Sequence, residues 1–320
     1  MKLVTFDGEA GHRIGVVSLD GGHVIDLDKA YALLHGTSYA GFADMLALMH
    51  AGERGLDHAR RMLEHPVDEA IHSASAVRLQ APVPVPTQLR DFSVFEKHLL
   101  QCGEAISRLG LSSNGGGPRA GPLPRVWYEQ PLHYKGNRFS VIGTDTDVQW
   151  PAYSRLMDYE LEFGVFIGTA GRDIPRSRAS RHIFGYCIYN DFSARDAQFQ
   201  EMPGLLGPAK GKDFNTGNAM GPWIVTPDEL TDPYSLTMVV RVNGEEQGRG
   251  HSGEMQHRFD AMIAHVSASE TLHVGEFLGS GTVGNGCGLE FGRFLQEDDV
   301  VELEVQGLGV LRNRVTRRTC

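Results

Sequence analysis

The first thirty residues alternate short apolar runs with tight turns. Residues 2–6, 13–19 and 23–27 are the apolar runs, and the sequences DGEAG and DGG separate them. Short runs of this kind, punctuated by glycine and aspartate, are typical of β-strands joined by turns. The pattern predicts a small β-meander at the N-terminus.

The spacing then becomes helical over residues 41–64, where Leu46, Met49 and Leu56 recur on one face. The segment APVPVPTQ at residues 81–88 follows, and its closely spaced prolines resist helix and favour extended chain. We interpret this segment as a linker. The chain is therefore predicted to comprise a small β-rich domain at residues 1–80 and a catalytic domain at residues 81–320.

The second part reads as mostly β-structure with some helix. A helix is predicted from Phe95 to Leu109, and two more at residues 176–182 and 255–268. Strand patterns dominate from Val141 onward, and the clearest lie at residues 164–168, 185–191, 222–226, 236–244 and 300–311. Many strands and few helices, without βα alternation, favour a β-rich fold over a doubly wound one.

Charge and composition narrow the possible partners. The chain has 320 residues and a formal net charge of −10, with no basic stripe to neutralise phosphates, so we expect a small-molecule partner and no nucleic acid. No apolar run approaches eighteen residues, which predicts a cytoplasmic protein that does not enter a membrane. The four cysteines, at 102, 187, 287 and 320, form no C-x-x-C pair and are expected to be free thiols.

Carboxylates cluster in two strand-like segments. In MDYELEFGVFIG, residues 157–168, side chains alternate across the strand, so Glu160 and Glu162 point the same way and can share a hard cation. In IYNDFSARDAQ, residues 188–198, an apolar strand ends at Asp191, a third candidate oxygen ligand. The alternatives are a solvated strand face for the two glutamates and an ordinary turn for Asp191.

Two further segments carry candidate chemistry. In RDFSVFEKHLL, residues 90–100, Asp91 is predicted to cap a helix, and His98 follows seven residues later on the same side, so an acid and a base can share a cleft. A cap and a surface histidine would explain the same pattern. In residues 207–223, Lys212 lies among glycines that permit close approach of an anionic substrate. Glycines at 279–288 surround Thr282 but lack the context of a dinucleotide site.

Six segments in this order resemble the fumarylacetoacetate hydrolase family over roughly residues 85–310. They are DFSVFEKH, WYEQPLHYKG, MDYELE, HIFGYCIYNDFSARDAQ, LGPAKGKDF and GSGTVG. The resemblance implies a mixed β-roll preceded by a small N-terminal β domain, and a homodimer. It also implies a hydrolase that cleaves a carbon–carbon bond in a 1,3-dicarbonyl acid of the fumarylacetoacetate or acylpyruvate type, in the catabolism of aromatic compounds.

The resemblance also assigns roles to residues. It implies a divalent-metal site formed by Asp91, Glu160, Glu162 and Asp191, whose oxygen donors favour Mg²⁺, Mn²⁺ or Ca²⁺. His98 matches the family's catalytic base. The positions that match groups holding the substrate and its developing charge are Gln198, Lys212, Tyr134 and Thr282.

The sequence departs from the family pattern near the base and near the far end of the substrate. The glutamate that pairs with the histidine aligns with Gln296, which leaves Glu104, Glu290 and Glu297 as candidates, and Glu104 is taken here as a catalytic candidate. Ser93 stands where fumarylacetoacetate hydrolase has an aromatic hydroxyl. Arg108 and Arg119 are the candidates for the arginine that binds the far carboxylate.

Two other functions fit the same segments. One is a 2-oxo acid decarboxylase, hydratase or isomerase with a similar metal site, because the fold alone does not decide the reaction. The other is a non-catalytic protein that binds a metal or a ligand. The presence of His98 at the matching spacing favours an enzyme.

Overall fold

The computed structural model describes residues 1–9, 11–111 and 120–317. The strands are β1 (Lys2–Gly8), β2 (Gly11–Val17), β3 (His23–Asp26), β4 (Ile71–Ser73), β5 (Leu79–Gln80), β6 (Gln88–Phe92), β7 (His133–Lys135), β8 (Val141–Ile142), β9 (Val148–Gln149), β10 (Met157–Asp158), β11 (Leu161–Ile167), β12 (Gly171–Arg172), β13 (Ile183–Asp191), β14 (Ser193–Ala194), β15 (Asn218–Val225), β16 (Thr237–Val242), β17 (Glu245–His251), β18 (Thr271–Leu272), β19 (Glu276–Gly279), β20 (Val300–Val305) and β21 (Gly309–Thr316). The helices are α1 (Leu27–His35), α2 (Met45–Glu64), α3 (Glu96–Leu109), α4 (Arg125–Glu129), α5 (Arg195–Glu201), α6 (Ala209–Lys212), α7 (Phe259–Ser267) and α8 (Gly288–Phe291). The prediction of a mostly β fold with some helix is confirmed.

The main sheet runs through both parts of the chain. Its strand order is β4, β3, β2, β1, β15, β13, β11, β19, β6, β7, with β5 added to β1 and β8 added to β15. A second sheet has the order β17, β16, β20, β21, β9. Strand β11 is buried along its whole length, since Phe163 and Val165 pack in the core that contains β16 and β20, whereas Phe166 packs in the core that contains α2.

The N-terminal meander forms as predicted, but it extends the main sheet. Strands β1, β2 and β3 pair in antiparallel succession, and β1 also pairs with β15 through Lys2 opposite Val225 and Leu3 opposite Ile224. Helix α2 covers this region with buried Met49 and Leu56. Strand pairing and apolar packing therefore connect residues on both sides of residue 80. The division into two domains at that point stays a prediction.

The segment that follows the prolines forms a strand where a helix cap was expected. Asp91 lies inside β6, opposite Gly279 of the parallel strand β19, and α3 begins only at Glu96 after Phe95 as its N-cap residue. The predicted capping role of Asp91 is therefore wrong, because pairing with β19 and β7 holds its backbone extended. Gly279 is required at this contact: a Cβ there would lie 2.6 Å from Asp91 Oδ1.

Other expectations concern thiols, membranes and assembly. Cys102, Cys187 and Cys287 are free and buried, and Cys320 lies outside the described residues. None of the helices in the described ranges is both long and apolar enough to cross a membrane. The homodimer and the cytoplasmic location stay predictions.

Candidate active site

Four buried carboxylates meet at one edge of the main sheet. Each of Asp91, Glu160, Glu162 and Asp191 offers an oxygen, and these oxygens lie within 4.8 Å of one another. They come from the end of β6, the start of β11 and the end of β13. Leu161, between the two glutamates, packs in the core, so the alternation predicted for this segment holds. We call these four residues the carboxylate cluster.

Two buried cationic side chains neutralise part of this negative charge. Lys212 Nζ lies 2.6 Å from Glu160 Oε2 and 2.7 Å from Asp191 Oδ2, and Arg195 Nη1 lies 2.7 Å from Glu160 Oε1. Burial opposes ionisation of Glu160, but the charges of Lys212 and Arg195 outweigh it and lower its pKa. Burial raises the pKa of Asp191 to about 6, although Lys212 acts in the opposite direction. The Tyr134 hydroxyl also donates to Asp191.

Asp91 and Glu162, unlike Glu160 and Asp191, form no ion pair with a side chain of the described residues. Burial, together with neighbouring carboxylates, raises the pKa of Asp91 and of Glu162 well above the usual range. Asp91 Oδ1 and Asp191 Oδ1 are buried without a hydrogen-bond partner in the described part of the chain. Orphaned carboxylate oxygens in an all-oxygen cluster are suited to a hard divalent cation, so the residues present fit Mg²⁺, Mn²⁺ or Ca²⁺.

Glu162 is fixed by the loop after β19. Gly281 N donates to its Oε2 at 2.9 Å, and Thr282 Oγ1 donates to its Oε1 at 3.3 Å. Gly281 has φ +79°, and a Cβ there would lie 2.2 Å from the carbonyl oxygen of Phe92. The glycine-rich segment therefore lets the backbone approach closely enough to orient a carboxylate.

His98 lies on α3 and pairs with a carboxylate from α8. Its Nδ1 lies 2.8 Å from Glu290 Oε1, and both side chains are buried. Glu104 is exposed on α3, and Gln296 and Glu297 are exposed beyond α8, so none of them is placed to orient the imidazole. The selection of Glu104 is thus corrected to Glu290.

The pair changes the proton affinity of the histidine. Burial by itself would lower the pKa of His98, but the interactions with Cys287 and Glu290 raise it to about 10. Glu290 is held in turn by Cys287, whose backbone N–H donates to Glu290 Oε2 at 3.4 Å as part of a capping box that begins α8. A cysteine at the N-cap is not among the preferred capping residues, so this signal was easy to overlook.

Sequence reasoning also missed an ionic link between the two sides of the site. Asp158 Oδ2 accepts from Arg195 Nε at 2.8 Å and from Leu289 N at 3.0 Å, and Asp158 Oδ1 accepts from Gly288 N at 2.7 Å. Arg195 also contacts Glu160. Asp158 therefore connects the start of α8 with the carboxylate cluster. Asp158 and Arg195 both lie in segments that carry the family resemblance, MDYELE and HIFGYCIYNDFSARDAQ.

A single cavity of about 300 Å³ joins the carboxylate cluster and His98. The predicted residues Ser93, Tyr134, Gln198, Lys212 and Thr282 line it. Its other wall is apolar and consists of Leu99, Cys102, Ile106, Phe199, Met202 and Leu289. Arg108 does not line the cavity; its side chain is exposed and donates to the Glu290 carbonyl at 3.3 Å. Arg119 lies outside the described residues.

Comparison with known proteins assigns the family. The model of the fumarylacetoacetate (FAA) hydrolase C-terminal region matches residues 107–316. The chain belongs to the fumarylacetoacetate hydrolase family. A human relative, the mitochondrial oxaloacetate tautomerase FAHD2A, is 30% identical over 320 aligned residues, which cover 98% of this chain and 91% of the human protein.

Solved structures of the same fold cover the whole chain. Fumarylacetoacetate hydrolase from the psychrophile Exiguobacterium antarcticum superposes with a TM-score of 0.74 at 26% identity, over 99% of this chain and 100% of that one. Maleylpyruvate hydrolase from Sphingobium sp. SYK-6, in complex with manganese(II) and pyruvate, has a TM-score of 0.74 at 23% identity, over 100% of both chains. The proteins that this chain resembles thus include a fumarylacetoacetate hydrolase and an oxaloacetate tautomerase.

Proposed function

We propose that this protein is a divalent-metal-dependent hydrolase that releases pyruvate from acylpyruvates with an apolar acyl group. The observation that carries the proposal is the shared cavity, in which the buried His98–Glu290 pair faces the carboxylate cluster beside an apolar wall. A base, a cation site and a hydrophobic surface are the components that hydrolysis of a small dicarbonyl acid requires.

The carboxylate cluster is the proposed metal site. A divalent cation held by Asp91, Glu160, Glu162 and Asp191 would act as a Lewis acid on the substrate's carbonyl oxygens. The Sphingobium structure contains manganese and pyruvate, which is the ligand combination that we propose for this cavity. Lys212 donates to Glu160, to Asp191 and to the Asp191 carbonyl, so we assign it the positioning of these carboxylates.

His98 is the proposed general base. In its neutral form His98 can donate Nδ1–H to Glu290, which leaves the lone pair of Nε2 free to take a proton from water. The hydroxide adds to the acyl carbonyl, the carbon–carbon bond breaks, and the imidazolium returns the proton to the departing carbon. The products are a carboxylic acid and pyruvate, with Gln198 and Thr282 placed on the cavity wall to contact the substrate.

The cavity wall favours one carboxylate in the substrate. Arg195 and Lys212 are the arginine and lysine that line the cavity in the described residues, and both already pair with protein carboxylates. His133 also lines it, but burial and nearby Arg90 lower the pKa of His133 to about 4, so it is neutral near pH 7. Among the described residues, a second substrate carboxylate would therefore meet only cations that already pair with protein carboxylates, whereas an alkyl or aryl group would contact the apolar wall.

The test is product analysis on a panel of substrates. Protein loaded with Mn²⁺ or Mg²⁺ is incubated with apolar acylpyruvates, with fumarylacetoacetate and with oxaloacetate, and pyruvate and free acids are quantified with and without EDTA. We expect release of pyruvate and the matching acid from the apolar acylpyruvates, and none after chelation. Absence of acid release across the panel, with metal bound, would exclude hydrolysis.

A second function, keto–enol tautomerisation of oxaloacetate, is favoured by the human relative. That reaction moves a proton on and off carbon and can use the same histidine, but it releases no product. It is recognised by metal-dependent loss of the enol absorbance of oxaloacetate without formation of pyruvate. Rapid enol conversion together with intact acylpyruvates would select this activity over hydrolysis.

A further inference from the structure

A second group of metal-ligating side chains lies on the helical side of the cavity. It consists of His98, Cys102, Cys287 and Glu290, which are buried and offer ligand atoms within 4.8 Å of one another. We call it the thiol cluster. His98 and Cys102 line the cavity, so an ion in the cavity can reach the cluster without unfolding of the protein.

The separations approach those of a tetrahedral zinc site. Cys102 Sγ lies 3.7 Å from His98 Nδ1 and 4.0 Å from Cys287 Sγ, and Cys287 Sγ lies 4.0 Å from His98 Nδ1. With Zn–S bonds of about 2.3 Å and Zn–N bonds of about 2.0 Å, neighbouring donors in a tetrahedron lie about 3.3–3.8 Å apart. Shifts of a few tenths of an ångström suffice for these three donors.

Glu290 supplies the fourth donor. Its Oε1 lies 2.8 Å from His98 Nδ1, a hydrogen-bond distance that must lengthen by about 0.5 Å when both atoms bind one ion. The carboxylate then exchanges a hydrogen bond for a coordinate bond. Its link to the Cys287 backbone N–H keeps it on the same side of the cluster.

We propose that the thiol cluster is a second metal site, selective for a thiophilic divalent cation such as Zn²⁺, and that its occupation inhibits the enzyme. Thiolate and imidazole donors prefer such ions, whereas the all-oxygen carboxylate cluster suits Mg²⁺, Mn²⁺ or Ca²⁺. The cavity thus contains two sites of different ligand chemistry.

Helices α3 and α8 position the four ligands of the thiol cluster. His98 and Cys102 are four residues apart on α3 and therefore lie on one helical face. Cys287 and Glu290 belong to the first turn of α8, and Asp158 anchors that turn through the N–H groups of Gly288 and Leu289. Such outer contacts orient ligands and contribute to metal affinity.

Inhibition follows from the tautomer of His98, and this part rests on the proposed function. When neutral His98 donates Nδ1–H to Glu290, Nε2 has a free lone pair and can act as the base. When Nδ1 binds a metal ion, the neutral imidazole carries its proton on Nε2 and has no lone pair left for water. Zinc binding therefore removes the base while the carboxylate cluster stays intact.

The test uses the reduced, full-length protein with the carboxylate cluster saturated by excess Mg²⁺. Zn²⁺ is titrated by calorimetry, and Co²⁺ is titrated by absorption spectroscopy, because cobalt bound to thiolate has an intense charge-transfer band. We expect one Zn²⁺ per chain that Mg²⁺ does not displace, and a cobalt–thiolate band that Zn²⁺ removes. Cys320, which lies outside the described residues, is replaced by serine throughout so that its thiol does not contribute.

Cysteine variants locate the site. Cys102→Ser and Cys287→Ser should each weaken Zn²⁺ binding by more than the ~10–100-fold that loss of an outer contact costs. The matched control is Cys187→Ser, since Cys187 is equally buried but lies on β13 and donates to backbone carbonyls. Mn²⁺ binding at the carboxylate cluster reports whether each variant is folded.

Two results would overturn the proposal. A wild-type cobalt complex without a thiolate band, or Zn²⁺ that excess Mg²⁺ displaces, would show that zinc occupies the carboxylate cluster only. Unchanged turnover of the wild-type enzyme with Zn²⁺ bound at the cysteines would refute inhibition. If no acylpyruvate is turned over at all, the proposed function fails, while the spectroscopic result still decides the metal site.

Discussion

The two sides of the cavity are built in different ways. On the strand side, the carboxylate cluster comes from strands β13, β11 and β6 of the main sheet, with β19 between β11 and β6, and two of its members, Glu160 and Glu162, are separated by a single residue. On the helical side, His98 and Glu290 lie 192 residues apart and meet only because α3 packs on α8. Local chain geometry thus explains much of the carboxylate cluster, whereas tertiary packing creates the pair of His98, the proposed base, with Glu290.

A short ionic chain joins these two sides. Asp158 binds the start of α8 and Arg195, and Arg195 binds Glu160. Substitutions can therefore alter the carboxylate cluster or the His98–Glu290 pair separately. A substitution of Asp158 can weaken the connection between them while both remain in place. Variants of this kind separate binding of the cation from proton transfer.

Removal of a carboxylate ligand should have the largest effect. Glu162→Gln retains the shape of the side chain but removes a charge from the proposed metal site, so we expect metal-dependent activity to be abolished and Mn²⁺ binding by calorimetry to be lost. Glu104→Gln is the matched control, since Glu104 is exposed on α3. Unaltered Mn²⁺ affinity in Glu162→Gln would remove the carboxylate cluster from the mechanism.

Loss of the base should leave the metal side unchanged. His98→Ala is expected to lower the rate at saturating substrate by ~10²–10⁴-fold, the usual range for a positioned base, with Mn²⁺ affinity nearly unaffected. Steady-state kinetics and calorimetry on the same preparation measure both. A wild-type rate would instead point to a decarboxylase, in which the metal alone stabilises the enolate.

Weakening the connection should have an intermediate effect on both sides. Asp158→Asn keeps an acceptor near α8 but removes the buried charge that faces Arg195, so we expect activity and Mn²⁺ affinity each to fall by ~10–100-fold, as for other outer contacts. Thermal unfolding should show a lower Tm, because breaking a buried ion pair leaves Arg195 less well compensated. A change in only one of the two readouts would show that the sides are independent.

The smallest expected effect is a change in pH dependence. Glu290 helps to raise the pKa of His98, and a base works in its neutral form, so activity should rise with pH as His98 loses its proton. In Glu290→Gln the negative charge is absent and the pKa of His98 falls. The rising limb of kcat/KM should consequently move to lower pH. A profile identical to that of the wild type would mean that another group orients the histidine.

Several features of the site followed from the sequence because they depend on local chain geometry. Strand alternation alone was enough to predict that Glu160 and Glu162 share a face, and helical periodicity located α2 and α3 to within a few residues. The order of motifs led to the family, which the comparisons confirm. Asp91 was assigned to the wrong element, because pairing with β19 is a long-range contact that the residues around Asp91 do not encode.

Other features were decided only by tertiary structure. The sequence spacing of Cys102 and Cys287 gives no sign that they meet, yet their sulfur atoms lie 4.0 Å apart beside His98. The choice among Glu104, Glu290 and Glu297 depended on which glutamate the packing of α8 against α3 buries. Sequence patterns report which face of an element is apolar and which groups are present; they do not report which faces meet. The His98–Glu290 pair and the thiol cluster exist only because α3 and α8, which are far apart in the sequence, come into contact.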